Sequence, residues 1–182
     1  MWVIVPIVFA AILFWVLLTR ARLARLRRRA ELLWQEISTQ FERRWNLVPE
    51  LVTAFRAVVP ERESLFAQTL SARDAAMNAE TLSDHAEAET ELKNSMFHLF
   101  ALSFEYEELA TDPRVLATQR ALEEAEDAIQ KARGKYNDIV YDLNRSIASF
   151  PRSVVASFSG FSPLEYYGVS KEEMEPGQVM SP

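Results

Sequence analysis

The sequence predicts an all-α protein in which an N-terminal transmembrane helix precedes a long antiparallel four-helix bundle of up-and-down topology. One observation is an uncharged apolar run from Trp2 to Leu18. Another is the scarcity of glycine, with four in 182 residues, because glycine disfavours helix interiors. The last is a heptad repeat in the second half of the chain, which is typical of bundled helices. Its members are Leu122, Ile129, Tyr136, Leu143 and Phe150.

The apolar run and its basic flank predict a membrane anchor. As a helix the run is about 26 Å long, close to the roughly 30 Å thickness of a hydrocarbon core. A signal peptide carries its basic residues before the apolar stretch, whereas here only Met1 precedes it and arginines follow it. Because basic flanks remain cytoplasmic, we expect the N-terminus outside and the domain in the cytoplasm. We call this flank the collar: Arg20, Arg22, Arg25, Arg27, Arg28 and Arg29.

Four segments are expected along the chain. Residues 1–19 form the transmembrane anchor and residues 20–30 the basic juxtamembrane collar. Residues 31–167 form the helical bundle, and residues 168–182 form a flexible acidic tail.

Composition excludes several classes of function. Beyond the collar, 14 Lys and Arg face 26 Asp and Glu, so residues 30–182 carry a net charge of about −12 and disfavour nucleic acid. The absence of cysteine excludes disulfides and thiolate chemistry, and the scattered glycines form no phosphate-binding loop. The two histidines, His85 and His98, lack the Glu-x-x-His spacing of di-iron bundles. We therefore predict no cofactor, no metal and no enzymatic site.

Proline and polar junctions divide the cytoplasmic part into four predicted helices, which end near Val59, Asn78, Asp112 and Phe150. In the first helix, Pro49 cannot donate a hydrogen bond to the carbonyl of Trp45. The third helix is expected to begin at a cap formed by Ser83 or Asp84. Three phenylalanines are expected to widen its packed face: Phe97, Phe100 and Phe104.

Several motifs, in order, resemble the LemA family of bacterial membrane proteins. The segment Arg43 to Val52 (RRWNLVPELV) is similar to the family signature RRxDLIPNLV, with Asn46 in place of the acid. Later matches are Ser71 to Arg73, Ala86 to Leu92 (AEAETEL), the pattern ExxIxxARxxYN that starts at Glu126, and the ending Phe150-Pro151, Gly160-Phe161 and Tyr166. The resemblance implies a single-pass anchor, a cytoplasmic bundle of long helices and no established enzymatic activity.

A polar stripe runs along the fourth helix and is the first candidate site. Its members lie four or seven residues apart: Glu126, Arg133, Asn137 and Asn144. Paired with Arg43 or Arg44, the stripe would form a polar network that fixes the register of the helices. Alternatively, the stripe would recognise a partner helix.

The aromatic residues at the C-terminal end are the second candidate site, which we call the coda: Phe150, Phe158, Phe161, Tyr166 and Tyr167. Alternating helix directions are expected to bring the coda back toward the collar. There it would either complete the core at the base of the bundle or enter the membrane interface.

These observations predict a membrane-anchored cytoplasmic scaffold or adaptor, without enzymatic activity, that presents a helical bundle to a protein partner or to a second copy of itself. The alternative is a membrane-organising protein that binds the lipid surface through the collar and the coda.

Overall fold

In the computed structural model, which describes residues 4–168, every regular element is a helix. Helix α1 spans Ile4–Val58, and a 3₁₀ turn at Pro60–Arg62 leads into α2 (Glu63–Met77). The remaining helices are α3 (Leu82–Glu105), α4 (Glu107–Thr111), α5 (Pro113–Ala148) and α6 (Arg152–Phe158). The all-α prediction is confirmed. Trp2 and, apart from Gly168, the predicted tail lie outside the described residues.

Helix α1 contains both the apolar run and the collar. It is long and apolar enough to cross a membrane by length and composition. Most of the large apolar side chains from Ile4 to Leu18 are exposed, whereas Leu23, Ala30, Ile37 and Phe41 further along are buried. The helix therefore changes character near Thr19, from apolar on every side to apolar on one face.

The described chain divides into two compact units, and α1 and α5 each contribute to both. The terminal unit consists of residues 4–36 and 132–166, and the central unit consists of residues 37–131 with 167–168. The core of the central unit combines buried side chains from five helices. Its largest fully buried members include Phe55 of α1, Phe66 of α2, Leu99 of α3 and Leu109 of α4.

The terminal unit contains an apolar cluster of its own. Leu23 of α1, Leu143 of α5 and Ala156 of α6 form a buried apolar cluster. Leu26, Ile147, Phe161 and Leu164 pack against it. The rings of Trp34 and Tyr136, with centroids 5.8 Å apart, join the same two long helices further along.

Three details of the predicted helices are wrong. Helix α3 is capped by Thr81, whose hydroxyl accepts a hydrogen bond from the backbone N–H of Asp84 at 3.1 Å. Phe97 and Phe104 lie outside the packed face, 72% and 94% exposed. Helix α5 ends at Ala148, so the side chain of Phe150 leaves the heptad face and is 84% exposed.

Candidate functional site

A buried cluster of charged residues lies in the central unit. Arg44 of α1 is 5% exposed, and its guanidinium contacts the carboxylate of Glu89 of α3, which is 6% exposed. The Nη1 atom of Arg44 also donates to Oε2 of Glu126 of α5 at 2.8 Å. Three helices therefore meet at one cation.

Neutral and charged donors complete the cluster. The indole Nε1 of Trp45 donates to Oε1 of Glu89 at 2.7 Å. Lys93 Nζ and Gln130 Nε2 donate to Oε1 of Glu126 at 3.1 and 2.9 Å. Two cations thus balance two carboxylates. Such balance is what burial requires, because an unpaired charge in a protein interior is strongly destabilising.

The surroundings shift the ionisation of both partners. Loss of hydration lowers the pKa of Arg44 from its usual value, against the opposing influence of Glu126, and the guanidinium remains charged at neutral pH. Burial raises the pKa of Glu126, but hydrogen bonds from Gln130 and Lys93 and the charge of Arg44 outweigh it, leaving this pKa below 4.5. The pair is therefore ionic at neutral pH.

Aromatic rings enclose the other side of the arginine. The guanidinium carbon of Arg44 lies 5.3 Å from the ring centroid of Phe41, and that centroid lies 4.6 Å from the ring of His85. His85 Nδ1 is 3.0 Å from the hydroxyl of Tyr167, which is buried. Burial, and then the charge of Arg44, lower the pKa of His85 below 6.5, so the imidazole is neutral at pH 7.

Pro49 shapes the backbone beside this cluster. A proline has no N–H, so within α1 the carbonyl of Trp45, four residues earlier, loses its helical donor. Arg73 of α2 supplies a replacement, because its Nε donates to that carbonyl at 2.9 Å. The carbonyl that the proline leaves without a helical donor thereby links α1 to α2.

The chain after α6 is held to α5 by neutral hydrogen bonds within the terminal unit. Asn144 Nδ2 donates to the carbonyl of Leu164 at 2.8 Å, and the N–H of Leu164 donates to Asn144 Oδ1 at 2.9 Å. The hydroxyl of Tyr136 donates to the carbonyl of Glu165 at 3.0 Å. Burial, together with the charge of Glu165, raises the pKa of Tyr136 above 10.0, which keeps the phenol protonated as a donor.

The model of the LemA family matches residues 33–180, most of the chain. This chain belongs to the LemA family. No curated protein matches it. The match extends from α1 through α5 and the coda, so the charged cluster around Arg44 and the hydrogen bonds of Tyr136 and Asn144 lie within the matched residues.

The structure assigns separate surroundings to the members of the predicted LemA stripe. Glu126 bonds to Arg44 in the central unit, whereas Asn144 bonds to the backbone of Leu164 in the terminal unit. Arg133 and Asn137 are half-buried on α5 between these two positions. Arg43, adjacent to the buried arginine, makes an exposed ion pair with Glu124 at 3.3 Å. The register and partner roles of this stripe stay predictions.

The coda divides into buried and exposed residues. Tyr167 is buried, and Phe161 and Tyr166 are half-buried. Phe150 and Phe158 are 84% and 90% exposed. In the collar, Arg27 is half-buried and pairs with Glu31 at 3.4 Å, and the other five arginines are exposed.

Sequence reasoning missed Glu89 as the second carboxylate at Arg44. A signal was present, because Glu89, Leu92, Met96 and Leu99 follow one another at steps of three and four, all on the packed stripe of α3. A carboxylate at a core position of a helix requires a buried cation opposite. Within residues 4–168, no group of three or more His, Asp and Glu side chains is placed to hold a metal ion.

Proposed function

We propose that this LemA-family chain is a single-pass protein of the bacterial inner membrane that acts as a scaffold or adaptor without enzymatic activity. Its N-terminus lies outside and its helical domain lies in the cytoplasm. The apolar part of α1 supports the span, and the exposed arginines that follow it support the orientation.

We also propose that the cytoplasmic helices form an up-and-down four-helix bundle. Support comes from the central unit, where α1, α2, α3 and α5 all contribute buried side chains to one core. In this arrangement α4 is the turn between the third and fourth helices of the bundle.

The absence of enzymatic activity is proposed from how the buried polar groups are used. In the central unit Glu89 carries a buried carboxylate and Glu126 a half-buried one, and both are engaged by donors of Arg44, Trp45, Lys93 and Gln130. A general base requires a carboxylate that can reach a substrate. These carboxylates instead join helices.

The scaffold role rests on the exposure of Phe97 and Phe104. They lie seven residues apart on α3 and therefore face the same direction, about 10 Å apart along the helix axis. Exposed apolar surface that is grouped in this way marks interaction sites. Phe100, between them, packs partly into the core, so the exposed pair adds little to stability and is available to a protein partner or a second copy.

Site-specific photocrosslinking in cells tests the scaffold role. A photoreactive phenylalanine analogue is placed at Phe104 of the full-length chain, and a matched control carries it at Glu123, an exposed position on α5. We expect a discrete protein adduct from position 104 and none from position 123. Substitution of Phe97→Ser in the position-104 variant should reduce the adduct. No adduct, or equal adducts from both positions, would contradict the scaffold role.

The second candidate is a membrane-organising function through the collar and the coda. A specific observation favours it: the collar-bearing segment of α1 and the coda residue Phe161 pack in the same unit, around Leu23. Full-length protein in phosphatidylglycerol vesicles should then cluster them, as measured by dynamic light scattering. A variant with the six collar arginines replaced by glutamine is the control, and equal clustering by both would eliminate this candidate.

A further inference from the structure

Three exposed apolar side chains surround α6. Phe150 precedes the helix, and Val154 and Phe158 lie within it, 84%, 45% and 90% exposed. Val154 and Phe158 are four residues apart and share one face of the helix. Val155 and Ala156 are buried, so α6 uses another face to pack on the protein.

The pairing of α1 with α5 in the terminal unit shows which part of α1 lies beside this apolar group. The two helices are antiparallel there, because Trp34 contacts Tyr136 while the earlier Leu23 shares a cluster with the later Leu143. Moving twelve residues outward from the Trp34–Tyr136 contact, about 18 Å, reaches Arg22 on one side and Ala148, the last residue of α5, on the other. Phe150 follows that helix end by two residues and therefore lies near the collar, close to the end of the apolar run.

Helix α6 also lies beside the collar segment of α1. Its residue Ala156 packs in the cluster of Leu23. Thr19, the residue that follows the apolar run, is only 7% exposed, although its neighbours Leu18 and Arg20 are exposed. The C-terminal part of the terminal unit thus reaches the collar.

The charge of this region is opposite to that of the whole chain. Residues 143–164 contain Arg145 and Arg152 and no acid, and residues 20–30 contain six arginines and no acid. The two segments together carry a charge of +8 in a chain whose net charge is −6. A cationic region with exposed aromatic and aliphatic side chains is complementary to the headgroups and acyl boundary of an anionic bilayer.

We propose that Phe150, Val154 and Phe158 insert into the cytoplasmic interface of an anionic membrane, beside the span of α1. The coda thereby serves both predicted purposes through different residues: Phe161 packs on the protein and Phe158 enters lipid. This inference rests on the proposed single-pass anchoring. Insertion at a second point would fix the tilt of the terminal unit on the membrane, which a single helix leaves free.

Depth-dependent fluorescence quenching tests the insertion. The chain has no cysteine, so Phe158→Cys or Phe150→Cys of the full-length protein gives one labelling site for an environment-sensitive fluorophore. The labelled protein is placed in vesicles of phosphatidylcholine and phosphatidylglycerol that contain spin-labelled lipids. Leu13→Cys, within the apolar run, is the reference for the hydrocarbon core. Phe104→Cys, equally exposed in the central unit, is the matched control.

We expect blue-shifted emission at positions 150 and 158, with strongest quenching by spin labels about 5–10 Å below the headgroups. A fluorophore at position 13 should be quenched best by the deeper spin labels. A fluorophore at position 104 should be quenched by neither the shallow nor the deep spin labels.

Quenching at position 13 without quenching at positions 150 and 158 overturns the insertion and leaves the anchor intact. Equal quenching at 104 and 158 also overturns it, because exposure alone would then explain the signal. Absence of quenching at 13 overturns the anchor and the insertion together. Circular dichroism of each labelled variant verifies that the helices are retained.

Discussion

The central and terminal units connect the same two long helices to their neighbours by different chemistry. The central unit uses a buried cation, Arg44, held by two carboxylates from two other helices. The terminal unit uses an amide, Asn144, and a phenol, Tyr136, bonded to backbone carbonyls. Substitutions in the charged and neutral clusters should destabilise the protein to different extents. Loss of one ion leaves its partner buried and charged, whereas loss of an amide leaves only unpaired polar groups.

Removal of the buried cation should have the largest effect. Arg44→Met leaves Glu89 buried without its cation, and we expect the free energy of unfolding to fall by about 3–5 kcal/mol. Urea unfolding of the full-length protein in detergent micelles, followed by circular dichroism, measures the change.

Two further variants show whether charge is responsible. Arg43→Met removes the adjacent exposed ion pair with Glu124 and should change the free energy of unfolding by about 0–1 kcal/mol. The double variant Arg44→Met/Glu89→Gln no longer buries an ion at Glu89 and should recover part of the loss. Equal destabilisation by Arg43→Met and Arg44→Met would show that burial of the cluster contributes nothing.

Disruption of the neutral hydrogen bonds in the terminal unit should lower the free energy of unfolding by a smaller amount, and its effect should be confined to that unit. Asn144→Ala removes two hydrogen bonds to Leu164, and we expect a loss of about 2–3 kcal/mol in the free energy of unfolding. Hydrogen exchange should accelerate at the Leu164 amide and remain slow in the core of α3. Asn94→Ala, at an exposed position of α3, is the control. Acceleration throughout both units would contradict a local role for Asn144.

The link at Pro49 should have an effect that depends on the proline. Arg73→Met leaves the carbonyl of Trp45 without a donor, and we expect a loss of about 1–2 kcal/mol in the free energy of unfolding. Pro49→Ala restores the helical N–H, so Arg73→Met should cost less in that background. A double-mutant cycle measures the coupling, and additive losses would show that Arg73 does not serve the carbonyl that the proline releases.

The smallest effect should be a dependence of stability on pH. Because the pKa of His85 is lower in the folded state than the unfolded value near 6.5, the unfolded chain binds more protons below pH 6.5. The free energy of unfolding should therefore fall as the pH drops from 6.5 through the folded pKa, and should not respond to His85 above 6.5. His85→Gln should flatten this decline, with His98→Gln as the control. An unchanged slope in His85→Gln would contradict the assignment.

The prediction of the fold succeeded where apolar periodicity is unambiguous. Leu122, Ile129, Tyr136 and Leu143 were placed on one face of α5, and all are buried. Phe150 follows Leu143 at the same spacing of seven residues, but it lies beyond the C-terminal end of α5. Periodicity locates a face and does not show where the chain leaves the helix.

The candidate site was only partly predictable for related reasons. Arg44 and Glu126 were named as members of one network, and their contact is present. Phe97 and Phe104 were assigned to the core because apolarity alone does not distinguish a buried face from an exposed one. Tyr167 reaches His85 across 82 positions of sequence, and one sequence contains no distance information at that separation.

The ion pair between Arg44 and Glu126 also has a consequence for synthesis, because 82 residues separate its partners. At roughly 5–20 residues per second, Glu126 is made about 4–16 s after Arg44. Throughout that interval the apolar start of α1 is complete, while the arginine that α1 will bury has only part of its surroundings. Under the proposed anchoring, membrane insertion therefore precedes closure of the charge cluster. The nascent chain would be tethered to the bilayer before Arg44 is buried and has both of its carboxylate partners.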